Sequence, residues 1–228
     1  MLLCHPHNPS GRVWRDDELL RLGEICQRHN VTVVSDEIHC DLLFPGEIHR
    51  PFASLSPGHL ANCITLTAPG KTFNLAGLQI GNAVIADRAL RVRVLKALRE
   101  HEINGVNPFG VAGSIAAYTH GADWLDALNA YLYRNFQHIQ TFLQQELPQL
   151  KLYPQQSTYL AWIDCSATGL SGTELAKRLL DEGELRISSG SGFLPGQQEN
   201  RFIRLNFACS RSTLEDGLER LKQVLQSL

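Results

Sequence analysis

Hydrophobic residues follow two different periods along the first 121 residues. Residues 16–29 carry apolar side chains at helical spacing, with acidic residues first and Arg28 and His29 last, which predicts a helix. Further helices are predicted over 88–103 and 107–121. Nearly continuous apolar runs predict buried strands at residues 1–4, 31–38, 62–68 and 81–87. Strands that alternate with helices in this way predict an α/β domain with a mostly parallel sheet.

The second half of the chain has a different pattern. A long helix is predicted from about Trp124 to Leu147, where Pro148 stops it. Shorter elements then follow in the order strand, helix, strand and helix, at 158–165, 171–183, 201–207 and 212–227. These lengths predict a smaller α+β domain, so we expect one domain over 1–121 and a second over 122–228. The Gly-rich loop at 188–200 is a candidate mobile or ligand-facing segment.

Composition narrows the class of protein. The chain has 228 residues and a net charge of −2, which argues against binding a nucleic acid backbone. No apolar run approaches the ~20 residues of a membrane span, and no basic segment followed by an apolar one predicts a signal peptide. Six cysteines without a C-x-x-C pair indicate a reducing compartment, and we expect a cytoplasmic protein without a metal site. Because the chain starts inside a predicted strand, we expect it to be the C-terminal part of a longer protein.

Polar side chains follow three successive predicted strands. Asn8 comes after the first, Asp36 and His39 after the second, and Lys71 after the third. Because functional groups of open α/β sheets gather at the carboxyl ends of strands, these residues are candidates for one site. Each also has a structural interpretation: Asn8 initiates a turn, Asp36 caps a helix or pairs with an arginine, His39 is a core histidine, and Lys71 is solvated. Arg204, inside "RFIRLNF", could equally lie on the solvent face of an edge strand.

Four motifs in this order carry a family resemblance: "HNPSG", "SDEIH", "APGKTFNLAGLQIG" and "FIRLNFA". Together they resemble fold type I enzymes of the class I/II aminotransferase superfamily, which depend on pyridoxal 5′-phosphate (PLP). Within it, "DEIHCDL", "KTFNLAGLQ", "TYLAWIDC" and "IRLNFACSRSTLEDGLERL" resemble the cystathionine β-lyase-like branch of C–S β-lyases. The resemblance covers essentially the whole chain, and His39 stands where typical aminotransferases have a tyrosine.

The resemblance implies a role for each candidate residue. Lys71 would bond covalently to PLP and later move the proton at the substrate Cα. Asp36 would pair with the pyridinium nitrogen, which supplies the cationic partner that a poorly solvated aspartate needs. Asn8 and His39 would lie near the ring 3′-oxygen. Arg204 would hold the substrate α-carboxylate through a bidentate pair.

The surroundings of the lysine depart from the family pattern. The serines that usually precede the lysine and hold the cofactor phosphate are replaced by Ala68 and Gly70, which leaves Thr67 or Thr72 as the candidate hydroxyl. The resemblance implies α,β-elimination on cystathionine or another cysteine S-conjugate, giving thiol, pyruvate and ammonia, in a homodimer. Two alternatives remain open: a PLP-dependent aminotransferase that uses the same residues, and an inactive remnant or interaction domain.

Overall fold

The computed structural model describes residues 1–103, 105–193 and 200–227. The chain forms two compact units. Unit 1 comprises Met1–His7 and Val13–Leu128, and unit 2 comprises Asn8–Arg12 and Asn129–Leu228. Of the predicted ligand-facing loop at 188–200, residues 194–199 lie outside the described residues.

A four-stranded sheet forms the centre of unit 1. Its strands stand in the order β1 (Leu2–Cys4), β2 (Val33–Asp36), β3 (Cys63–Thr67) and β4 (Asn82–Val84). The first three are parallel, and β4 runs antiparallel to β3. The predicted α/β class with a mostly parallel sheet is therefore confirmed. One face of the sheet packs on a buried cluster that includes Leu3, Leu19, Val33, Phe52 and Cys63.

Five helices of unit 1 lie within the described residues: α1 (Asp16–Arg28), α2 (Pro57–Ala61), α3 (Pro69–Thr72), α4 (Arg88–Glu100) and α5 (Pro108–His120). Asn107 caps α5, since its side chain accepts a hydrogen bond from the backbone N–H of Phe109 at 3.0 Å. The long helix α6 (Ala122–Glu146) begins in unit 1 and ends in unit 2. The described part of the chain contains no helix long and apolar enough to cross a membrane.

Unit 2 contains an antiparallel sheet. Its strands stand in the order β5 (Lys151–Leu152), β6 (Leu160–Asp164), β8 (Phe202–Asn206) and β7 (Ser188–Ser189). Two helices accompany it, α7 (Gly172–Gly183) and α8 (Arg211–Gln226). Ser171 and Glu174 close the first turn of α7 as a capping box, because each side chain accepts a backbone N–H of the other residue. β6 and β8 bury Ile163 and Ile203 completely, so the core of this unit lies under its two longest strands.

Candidate active site

The carboxyl edge of the parallel strands in unit 1 carries three of the predicted site residues. Asp36 ends β2 and lies opposite Leu66 of β3, so Thr67, at the end of β3, stands one position further along the neighbouring strand. Lys71 follows four residues later on α3. Because β2 and β3 are parallel and adjacent, the structure brings an acid, a hydroxyl and a lysine to one edge of the sheet.

Asp36 is half-buried, as expected from the apolar run that precedes it. Its Oδ1 accepts a hydrogen bond from the backbone N–H of Ile38 at 3.3 Å. Its backbone carbonyl accepts a hydrogen bond from the N–H of His5 at 2.9 Å. The carboxylate is thereby fixed at the strand end with one N–H donor, and a second, cationic donor would complete its surroundings.

Lys71 lies on a single helical turn, where the sequence predicts only a Pro-Gly turn. Pro69 occupies the first helical position, which suits its fixed φ. The next residue, Thr72, is fully buried, and its hydroxyl donates to the Asp41 carboxylate at 2.8 Å. This hydrogen bond anchors the turn, and the half-buried Lys71 is held on an ordered backbone rather than on a solvated loop.

The missing hydroxyl at Gly70 has a packing explanation. A Cβ at this position would lie 3.2 Å from the Cα of Ala76, closer than side chains normally approach a backbone. A serine at position 70 would therefore press α3 away from the segment that follows it. Thr67 retains a hydroxyl close by, and its Oγ1 accepts a long hydrogen bond from the Asn82 amide at 3.5 Å.

His39 lies in the turn that follows β2. It is 2% exposed, so its ring belongs to the interior of unit 1. Its carbonyl accepts a hydrogen bond from the N–H of Leu42 at 3.1 Å, and the Glu37 carbonyl accepts one from Cys40 at 2.9 Å. These bonds stabilise the turn. The role of the His39 side chain near a cofactor oxygen stays a prediction.

A buried carboxylate beside Asp36 was missed from the sequence. Glu37 is 1% exposed and accepts hydrogen bonds from the Ser35 hydroxyl at 2.8 Å and the Phe52 N–H at 3.0 Å. Its other oxygen lies 2.8 Å from Nε2 of His49. Burial alternates through Val33, Ser35 and Glu37, so the side chain of Glu37, the residue after β2, continues the buried face of that strand.

A second histidine extends this buried network. The ring centroid of His5 lies 4.3 Å from that of His49. Its Nε2 lies 3.1 Å from the carbonyl of Arg50, and its Nδ1 accepts the backbone N–H of Trp14 at 3.4 Å. The pKa of His5 is lowered from 6.5 to about 4. Burial away from water is the larger cause, and the nearby His49 is the second.

Asn8 and Arg204 meet within unit 2. Nη1 of Arg204 donates to Oδ1 of Asn8 at 3.0 Å, and Nη2 lies 3.5 Å from the Ser188 hydroxyl. This hydrogen bond fixes the side-chain amide of Asn8 against the guanidinium. Burial lowers the pKa of Arg204. The edge-strand alternative for Arg204 is wrong, since β8 lies between β6 and β7.

A family model described as aminotransferase class I and II matches residues 1–221. The chain belongs to this family. The resemblance inferred from the four motifs is therefore confirmed at the level of the family, and the strand-end residues above occupy the positions on which that inference depended.

The chain is similar to several C–S lyases of the family and, at lower sequence identity, to aspartate aminotransferases of Bacillus subtilis and Geobacillus stearothermophilus. The chain is 46% identical over 224 residues to cystathionine β-lyase PatB of Bacillus subtilis, covering 98% of the chain and 57% of PatB. It superimposes on the PLP-bound C–S lyase of Staphylococcus hominis with a TM-score of 0.88 and 36% identity, covering 98% of the chain and 56% of that protein. For cystalysin of Treponema denticola, which contains PLP, the TM-score is 0.90 and the identity 32%, with 99% and 57% covered. The chain thus spans little more than half the length of these relatives.

Proposed function

We propose that the protein is a PLP-dependent C–S β-lyase that acts on cystathionine or other cysteine S-conjugates and releases a thiol, pyruvate and ammonia. The observation that carries this proposal is the acid, hydroxyl and lysine of Asp36, Thr67 and Lys71 along one edge of the parallel sheet. We assign residues 1–121 to a cofactor-binding domain and 122–228 to the smaller domain.

The chemistry of these side chains fits the cofactor. PLP, when bound, withdraws electrons from the substrate Cα and so makes its proton removable. Asp36, held by one N–H donor, has an oxygen suited to a protonated pyridine nitrogen. Lys71 would hold the cofactor and move the proton at Cα, and the hydroxyl of Thr67 would donate to the phosphate. Asn8 is the proposed donor to the ring 3′-oxygen, and His39 is proposed to lie near the same oxygen.

Substrate recognition is assigned to Arg204. A guanidinium can bind a carboxylate through two parallel hydrogen bonds, which suits the α-carboxylate common to cysteine S-conjugates. The fork of Arg204 is already oriented by Asn8 and Ser188. The names of PatB and of the staphylococcal lyase support elimination over transamination, and so does histidine at position 39. We also propose a homodimer, which the resemblance to the superfamily implies, and a cytoplasmic location, which the six free cysteines favour.

Covalent attachment of the cofactor is the first test. The purified chain is incubated with PLP, reduced with borohydride and digested, and the modified peptide is identified by mass spectrometry. We expect the added mass on Lys71 and its loss in Lys71→Ala. Lys96→Ala, which removes an exposed lysine of α4, is the matched control. Modification at many lysines, unchanged in Lys71→Ala, would refute the assignment.

The type of reaction needs a second assay. Cystathionine is supplied without any keto acid, and pyruvate is measured. A lyase forms pyruvate under these conditions, whereas an aminotransferase needs an added keto acid for sustained turnover. Turnover that appears only with a keto acid would establish the aminotransferase alternative. Specific labelling of Lys71 without either product would leave a cofactor-binding protein and refute the lyase proposal.

A further inference from the structure

Arg204 lies in a row of side chains across the sheet of unit 2. Its register partners are Trp162 on β6 and Ser188 on β7. Asn8 and Ser188 hold two N–H groups at the edge of its guanidinium. Edge contacts of this kind fix the direction of the fork but leave the flat faces of the guanidinium to other neighbours.

Phe193 covers one of these faces. The guanidinium carbon of Arg204 lies 4.4 Å from the centre of the Phe193 ring, within the range of a cation–π contact. The same ring meets Trp162 edge-on, with centroids 5.8 Å apart. Trp162 in turn stacks on Phe202 at 5.1 Å, with an interplanar angle of 6°. Phe193 is therefore supported by Trp162, which is in turn held by its stacking on Phe202.

The backbone before Phe193 explains how the ring is placed. Residues Gly190–Phe193 form a 3-10 turn that presses against β8. A Cβ at Gly190 would lie 2.6 Å from Oδ1 of Asn200 and 2.7 Å from the carbonyl of Phe202. At Gly192, two residues later, a Cβ would meet no atom of the described residues within 4 Å. Gly190, and not Gly192, is therefore needed for the close approach of this turn to β8.

We propose that Phe193 is a positioning residue that holds the guanidinium of Arg204 ready for a carboxylate. The ring shields one face from water, and this strengthens the charge-assisted hydrogen bonds that the fork makes at its edge. It also restricts the long side chain before the ligand arrives, which lowers the entropy lost on binding. The identity of the ligand, an amino-acid α-carboxylate, rests on the proposed function, whereas the effect of Phe193 on Arg204 does not.

Four variants distinguish the effect of the Phe193 ring on carboxylate binding from the effect of the turn that carries it. Phe193→Leu removes the ring and keeps an apolar side chain, and Phe193→Tyr keeps the ring. Gly190→Ala displaces the turn with Phe193 intact, and Gly192→Ala is its matched control. We expect Phe193→Leu and Gly190→Ala to weaken carboxylate binding roughly 2- to 30-fold, the range of a cation–π contact. Phe193→Tyr and Gly192→Ala should bind as the unmodified chain does.

The assay is NMR of the full chain with ¹⁵N-labelled arginine, with and without PLP, using propionate as the carboxylate probe. The side-chain Nε–H signal of Arg204 is assigned by its loss in Arg204→Lys. Because the guanidinium lies over the face of the ring, we expect this proton to be shifted upfield. The shift should disappear in Phe193→Leu, persist in Phe193→Tyr, and move in Gly190→Ala but not in Gly192→Ala. Propionate titration of the same signals gives the affinities.

Three results overturn the inference and are distinguishable from failure of the proposed cofactor attachment. If Arg204→Lys weakens propionate binding but Phe193→Leu does not, Arg204 keeps its role and Phe193 loses the one proposed here. The same conclusion follows if the Arg204 proton shift is unchanged in Phe193→Leu. If Arg204→Lys leaves the affinity unchanged, the carboxylate site itself is refuted. Specific labelling of Lys71 by PLP is measured separately, so its failure affects only the proposed function.

Discussion

The buried imidazole of His5 gives a prediction that can be worked out in numbers. Its Nδ1 accepts the N–H of Trp14, so a proton on Nδ1 would face another donor. Its Nε2 has the carbonyl of Arg50 as partner, so the neutral ring satisfies both contacts. Desolvation and the neighbouring His49 lower the pKa from 6.5 to about 4, against smaller opposing effects of Glu37 and Asp16.

The sign of the pH dependence follows from this lowered pKa. Between pH 6.5 and about 4, the unfolded chain binds a proton at His5 that the native chain does not. The stabilisation is therefore fully present above pH 6.5 and is lost as the pH falls towards 4. One pKa unit corresponds to about 1.4 kcal/mol, so His5 contributes a loss of about 3 kcal/mol over this window.

Urea unfolding measured by circular dichroism at pH values from 7 to 4 tests this value. His5→Gln removes the ionisation and should lose about 3 kcal/mol less stability over the window than the unmodified chain. His29→Gln is the matched control, because it removes an exposed imidazole and none of these contacts. Equal losses in His5→Gln and the unmodified chain, or an NMR titration of His5 centred near 6.5 in the folded chain, would refute the reasoning.

Three further predictions concern other buried groups. Asn135→Ala leaves the buried carbonyl of Phe207 and the half-buried carbonyl of Cys209 without their amide donor and should lower the free energy of unfolding by about 2–4 kcal/mol, against about 0.5 for the exposed Gln137→Ala in urea unfolding. Gly11→Ala adds a Cβ where φ is +66° and Ser157 O would be 2.9 Å away, so the same assay should show a loss of about 2 kcal/mol or more. Desolvation raises the pKa of the Cys40 thiol to about 12, so alkylation at pH 8.5 followed by mass spectrometry should be slower at Cys40 in the folded chain than in urea; equal rates would contradict this.

Helices and strands of three or more residues were largely predictable from hydrophobic patterning, and the two-residue strands were not. The apolar runs at 31–38 and 62–68 contain β2 and β3, and the predicted helix over 16–29 matches α1 within a residue. β5 and β7 have two residues each, too few for any alternation to appear. The antiparallel direction of β4 is a property of its connection to β3, which a hydrophobic run does not encode.

Some residues of the candidate site were likewise predictable from the sequence, and others were not. Asp36 and Lys71 were found because the carboxyl ends of parallel strands share an edge, a rule that needs only the order of elements. Glu37 depends on donors from residues 49 and 52, which no local pattern connects to β2. Phe193 stands in a Gly-rich segment, and its contact with Arg204 becomes visible only once the turn is seated on β8.

The short segment Asn8–Arg12 has a consequence for dissecting the protein. It belongs to unit 2, although the residues on either side of it belong to unit 1. The Gly11 carbonyl accepts the buried hydroxyl of Ser157 at 2.9 Å and the N–H of Gln156 at 3.0 Å, and Asn8 accepts from Arg204. A fragment that begins at Asn129 would therefore lack residues 8–12 and the hydrogen bonds that they make with Gln156, Ser157 and Arg204. An exchange of unit 2 between homologues would therefore have to carry residues 8–12 together with residues 129–228 to keep these hydrogen bonds matched.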